Sequence, residues 1–205
     1  DTNGSSSGAI YVVYGPGTTK SLANADVKLL GESASNLAGW SLSKTGDLNH
    51  DGYHDLFIGA YQESSAGAYA GASYLVFGPP VSGSLASSLK FTGEATNDNS
   101  GSSVGSCDVN GDGTTDLFIG ARGEQTAGSA SGAVYLLSGP IMQNRSLSGS
   151  NLKLTGEVPG DSAGSSIATL DLNADGLCDL AIGSYLSDKK TSNGGSVSIL
   201  YGSGL

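Results

Sequence analysis

The sequence predicts an all-β protein assembled from a repeated four-stranded unit, and three observations carry the prediction. A nine-residue pattern, D-x-N-x-D-G-x-x-D, occurs at 47–55, 108–116 and 171–179. Each copy runs into a short apolar segment, LFIGA at 56–60, LFIGA at 117–121 and LAIGS at 180–184. A second apolar pattern bounded by glycines appears four times, as GAIYVVYG (8–15), GASYLVFG (71–78), GAVYLLSG (132–139) and GSVSILYG (195–202). No stretch carries helical periodicity.

Each unit can be built in order. Its first strand is the Gly-x-Ser-aliphatic segment before the nine-residue loop, as at 101–104 and 164–167. The apolar segment after the loop is the second strand, and the Gly-bounded segment beyond a Gly/Ser/Ala-rich stretch is the third. A Lys-led strand closes the unit as KLLGE (28–32), KFTGE (90–94) or KLTGE (153–157). Four short strands per roughly sixty residues, rich in β-branched and aromatic residues and separated by Gly/Ser turns, describe a β-propeller blade. Residues 37–94 and 100–157 are two full blades of four antiparallel strands. Residues 1–32 supply the last two strands of another, and 163–205 the first three of a fourth. The predicted object is therefore an incomplete ring with partial blades at both ends.

The nine-residue loops predict metal. Oxygen-bearing side chains at alternate positions, followed by a glycine that lets the backbone turn, are what a hard divalent cation takes from a short loop. The expected ligands are Asp47, Asn49, Asp51 and Asp55 with the Tyr53 carbonyl; Asp108, Asn110, Asp112, Thr114 and Asp116; and Asp171, Asn173, Asp175, Leu177 and Asp179. Calcium, about three ions, is the expected cofactor. An EF-hand would place glutamate at position twelve, where this chain has Ile58, Ile119 and Ile182. Magnesium fits less well, because it demands tighter octahedral geometry and keeps its waters.

These motifs resemble the FG-GAP repeats of integrin alpha-subunit propellers. The resemblance covers nearly the whole chain and rests on the metal loop followed by hhIGA and on the GxxYhhhG strand. The namesake dipeptides differ, being Ala38-Gly39, Ser100-Gly101 and Ala163-Gly164 here. The resemblance implies a calcium loop between the first and second strands of each blade, and a ligand rim on the opposite edge. It makes Tyr61, Glu63, Tyr69, Arg122 and Glu124 candidates for contact with a protein or glycan.

Net charge is −10, and nine of the 19 acidic residues lie in the loops. Three bound divalent ions would bring the charge to about −4. Nine Lys and Arg spread along the chain give no basic face for a phosphate backbone, which excludes nucleic acid as a partner. No transmembrane segment is present in the sequence. Extracellular calcium would keep such loops filled, so a secreted or cell-surface location is expected. Asn3-Gly4-Ser5 and Asn144-Arg145-Ser146 fit the N-glycosylation acceptor pattern. Cys107 lies just before the second loop and Cys178 just inside the third, and they admit two readings, one disulfide or a pair of small buried thiols.

Nothing here assembles a catalytic site, so an enzyme is not predicted. The histidines, His50 and His54, sit in the first loop without counterparts in the others. Trp40, the single tryptophan, is expected to pack in the core. Two functions follow. One is an adhesion, ligand-binding or self-assembling module, either a segment of a longer propeller or a subunit whose unfinished blade is completed by the strand near residues 27–30 of a neighbouring copy. The other is an accessory propeller of a secreted enzyme, as found beside phospholipase or polysaccharide-lyase domains, with a lectin as a third possibility.

Overall fold

A computed structural model describes residues 3–15, 21–189 and 191–202. The chain begins with β1 (Ala9–Val12) and β2 (Val27–Leu30), paired antiparallel. The next unit runs β3 (Ser41–Lys44), β4 (Leu56–Ala60), β5 (Ala72–Val76), the two-residue β6 (Gly83–Ser84) and β7 (Leu89–Thr92). It is followed by β8 (Ser100–Cys107), β9 (Asp116–Ala121), β10 (Ala133–Leu137), β11 (Arg145–Ser146) and β12 (Leu152–Thr155). The last unit holds β13 (Ala163–Leu170), β14 (Asp179–Ser184) and β15 (Ser196–Leu200). The helical content among the described residues is three short 3-10 turns.

Within the middle units, strands pair antiparallel in chain order, β3-β4-β5-β7 and β8-β9-β10-β12, which is the four-stranded blade read from the sequence. The terminal sheet contains β13-β14-β15. The expectation of an all-β chain of propeller blades therefore holds.

Both faces of a middle blade are covered, and this explains the unbroken apolar runs of its strands. Phe57, Leu75 and Phe91 face the next blade, where they meet Leu117, Ile119, Tyr135 and Leu147. On the other face, Ile58, Tyr74 and Val76 meet Ile10, Val27 and Leu29 of the first sheet. A third seam joins Phe118, Val134 and Leu136 to Leu180 and Ile182 of the terminal sheet. The core is thus a series of seams between stacked sheets, stabilised by apolar area removed from water on both sides.

Two features of these seams were not anticipated. The connection between third and fourth strands crosses to the preceding sheet: β6 pairs parallel with β2, and β11 parallel with β7. Just beyond each, a 3-10 turn capped by Ser84 or Ser146 drives Leu85 or Leu147 into the seam, fully buried. The second concerns the glycine of the IGA motif. A Cβ at Gly59 would lie 2.1 Å from the Gly101 carbonyl oxygen, and one at Gly120 the same distance from that of Gly164. Glycine lets the next blade's first strand approach this closely.

In the single chain, the strand at residues 27–30 is paired internally. Val27–Leu30 pairs along its length with Ala9–Val12 of its own chain and carries β6 on its other edge. On that second edge the pairing covers Leu29 and Leu30.

Candidate functional site

The nine-residue loops join first strand to second in three successive sheets, β3 to β4, β8 to β9 and β13 to β14, and so share one rim. Their backbones turn alike. Position four is left-handed whatever its residue, at His50 (φ 59), Gly111 (φ 74) and Ala174 (φ 61), and so is the glycine at position six. His50 thus occupies a turn position, and its side chain, like that of His54, is exposed.

The acidic side chains shape these turns. The two carboxylate oxygens of Asp47 accept the N–H groups of Asp51 and Gly52, those of Asp108 accept Gly111 and Gly113, and those of Asp171 accept Asp175 and Gly176. The amides of Asn49, Asn110 and Asn173 donate to Asp51, Asp112 and Asp175. Those three aspartates accept the N–H of position seven, from Tyr53, Thr114 and Leu177. Hydrogen bonds from the Thr114 hydroxyl and N–H, with the Asn110 amide, hold Asp112 below the usual carboxylate range.

Position nine behaves differently. Asp55, Asp116 and Asp179 are buried. One oxygen of each accepts the N–H of position two, from Leu48, Val109 or Leu172, at 2.7–3.1 Å. The other accepts the N–H of the glycine ending the third strand, Gly78, Gly139 or Gly202, at 2.9–3.0 Å. Each ninth-position aspartate therefore ties loop, second strand and third strand together. Burial pushes the Asp116 carboxyl upward, with Asp112 and Asp108 adding to the effect against the two N–H bonds.

Among the described residues no three His, Cys, Asp or Glu side chains converge as a cluster able to hold a metal. The loop carboxylates point instead at backbone N–H groups. The donor chemistry nonetheless fits a hard divalent cation: each loop offers three carboxylates and one carboxamide, all oxygen, and apart from the Asp112 oxygen that accepts both Thr114 bonds each keeps a second lone pair.

Beside the loops, Cys107 and Cys178 form a disulfide with alpha carbons 6.2 Å apart. Of the two readings open in the sequence, the structure has the bridge, linking the end of β8 to the residue before β14.

On the opposite rim the resemblance-based candidates separate. Tyr61, Glu63 and Glu124 are buried, which corrects their assignment to an exposed ligand surface. Lys90 bridges Glu32 (2.7 Å) and Glu63 (3.1 Å), and Lys153 bridges Glu94 and Glu124, both at 2.7 Å. The lysines of β7 and β12 thus each join the glutamate of the preceding GE pair to one in their own blade. Lys153 holds Glu94 below its ordinary value, assisted by Tyr135. At Glu124 burial works upward, but Lys153 and Thr126 outweigh it. Close by, burial pushes the Asp98 carboxyl up to about 6, with Glu124 and Glu94 adding to the shift.

Tyr61, Arg122 and Trp40 meet at this rim, while Tyr69 stands exposed in a left-handed turn. Trp40 is 54% exposed, which corrects the expectation of a core residue. It lies just before β3, against Tyr61 and near Arg122 of the adjacent blade, apart from the residues that form the seams. The Asn3 amide donates to the Gly31 carbonyl at 2.8 Å, and the exposed Asn144 accepts the Lys90 N–H at 2.9 Å. Among the described residues, no helix is long and apolar enough to cross a membrane.

The chain is similar to phosphatidylinositol-glycan-specific phospholipase D. Identity is 30% to the Mus musculus protein over 80% of this chain, and 33% to the Homo sapiens protein over 71%. The match to the Bos taurus protein is 32% over 71%. The chain spans 20% of the mouse relative and 18% of the other two. A family model for the FG-GAP repeat matches residues 38–76, 100–137 and 163–200, each taking in one loop with its flanking strands. This chain belongs to the FG-GAP repeat family.

Proposed function

We propose that the chain is a calcium-stabilised, extracellular propeller module that binds a protein or glycan through the rim away from its loops. The observation that supports this most is the ninth-position aspartate: in all three loops it ties two strands to an all-oxygen donor set carrying three negative charges. A bound cation would supply the positive charge that such a set requires. Asp47, Asn49, Asp51 and Asp55 would hold it with the Tyr53 carbonyl, and the two other loops would use the equivalent positions, including Thr114 and Leu177. The ion then joins the first strand to the second and third. The disulfide supports an oxidising, extracellular location. Within this reading the chain itself is not catalytic.

Calorimetric titration tests the proposal. About three calcium ions are expected to bind, and calcium at 100 times its Kd should add about 2.7 kcal/mol per site by linkage. An unfolding midpoint indifferent to chelator and to calcium would overturn it.

The similarity to phosphatidylinositol-glycan-specific phospholipase D favours a second reading, in which the module is an accessory part of a longer secreted enzyme. The isolated 205 residues should then release nothing from a phosphatidylinositol-glycan substrate, whereas the parent polypeptide should cleave it.

A further inference from the structure

Trp40 and Arg122 break the repeat at positions that other units fill with residues serving the fold. Trp40 stands where the next two units have Ser102 and Ser165, whose hydroxyls donate to the Gly120 and Gly183 carbonyls at 3.0 Å. An indole cannot make that side-chain bond to the strand, and here it is 54% exposed. Arg122 stands where the other units have Tyr61 and Tyr185. Neither departure is demanded by the blade, because neighbouring blades manage without it.

The two departures meet. Trp40 and Tyr61 have ring centroids 4.7 Å apart at an interplanar angle of 58°. The Arg122 guanidinium, from the adjacent blade, lies 4.8 Å from the Tyr61 ring and 6.0 Å from the Trp40 ring. Gln62 donates to the Tyr61 hydroxyl at 3.3 Å, placing an amide beside the rings. Among the described residues Arg122 has these ring contacts and no carboxylate or hydrogen-bond partner. In a chain of net charge −10, that makes Arg122 a cation set against two aromatic rings and available to an anion. The glutamates two residues beyond Tyr61 and Arg122 do not compete for it, since Glu63 and Glu124 are held by Lys90 and Lys153.

We propose that Trp40 and Arg122, backed by the buried Tyr61 ring, form a binding site for an acidic saccharide, a uronic acid unit of a glycan. This names the ligand class of the rim and rests on the reading of the chain as a binding module. A pyranose ring presents apolar C–H groups on one face, suited to an exposed indole. Its carboxylate presents two oxygens in the geometry that a planar guanidinium fork receives. Stacking on Tyr61 pre-orients that fork, so little freedom is lost on binding.

Because Trp40 is the single tryptophan, its fluorescence reports the site directly. In calcium-containing buffer, trigalacturonic acid is expected to change the emission saturably. A neutral glucose oligomer of the same length should bind at least tenfold more weakly. Arg122→Tyr and Trp40→Ser install residues that the other repeats carry, which protects the fold. Arg122→Tyr should weaken the acidic ligand at least tenfold, and Trp40→Ser should abolish the calorimetric binding signal, with unfolding midpoints unchanged. No response to the uronate, undiminished binding in Arg122→Tyr, or equal response to a glutamate tripeptide would overturn the proposal. Calcium-independent stability with intact uronate binding would sink the metal reading alone, so the two failures are distinguishable.

Discussion

The two middle blades and the terminal sheet carry the same repeat, yet they are held differently. In the middle blades, the third strand is buried throughout, with Tyr74 and Tyr135 fully enclosed. In the terminal sheet the corresponding strand exposes Val197 (68%) and Ile199 (50%), and Ser198 replaces the tyrosine. The glutamate that receives the fourth-strand lysine in each middle blade is Ser187 here, and Lys189 pairs with Glu157 at 2.6 Å in the open. A blade of this type is made solid by its outer strand and by the following seam, with the inner three strands contributing the frame.

The largest effect that would sharpen this contrast is loss of the disulfide, which anchors the terminal sheet to the middle blade across 71 residues of chain. Closing a loop of that length stabilises by about 4 kcal/mol in the chain-entropy model. A double Cys107→Ser, Cys178→Ser variant should lose roughly 2–4 kcal/mol. Limited proteolysis should then cut first within residues 163–202. Uniform cleavage along the chain would show that the two regions unfold as one.

A smaller test compares the lysines. Lys153→Met leaves Glu94 and the buried Glu124 without their cation and is expected to cost about 2–3 kcal/mol in chemical denaturation. Lys189→Met breaks a pair whose side chains are 49% and 61% exposed, and should change stability by no more than about 0.5 kcal/mol. Equal costs would break the distinction between strut and surface pair.

The smallest effect lies within the middle region. Burial raises Asp98 to about 6, so the folded state favours the protonated acid. No penalty is present below the ordinary carboxylate range near pH 4; it grows as pH rises and is complete above about 6. Asn36 occupies the equivalent position, and its side-chain oxygen accepts the Ser33 N–H at 2.8 Å as Asp98 accepts that of Ala95. Asp98→Asn should therefore stabilise by roughly 1–2 kcal/mol at pH 7. Unfolding measured at pH 4 should show the gain gone.

Much of this fold was legible because its determinants are local and repeated. The GxxYhhhG and hhIGA segments read as strands from composition and bounding glycines, and antiparallel order followed from short turns. The loops were equally plain, since alternating oxygens before glycine are a local pattern. Other features depended on partners distant in sequence. The crossing of β6 and β11 to the preceding sheet hangs on two-residue pairings that carry no periodicity. Glu63 and Glu124 read as surface residues because their lysines lie 27 to 29 positions away. The ninth-position aspartates looked equivalent to the other loop carboxylates, although a glycine 23 residues on claims one oxygen of each.

By itself the sequence determined the strand, its turn and the oxygen-rich loop, because backbone preference and side-chain chemistry act over a few residues. The tertiary structure decided which charges became internal struts, which cysteines met, and that an indole and a guanidinium from adjacent blades share one rim. Those outcomes depend on how sheets stack, and stacking brings together residues that chain order keeps apart.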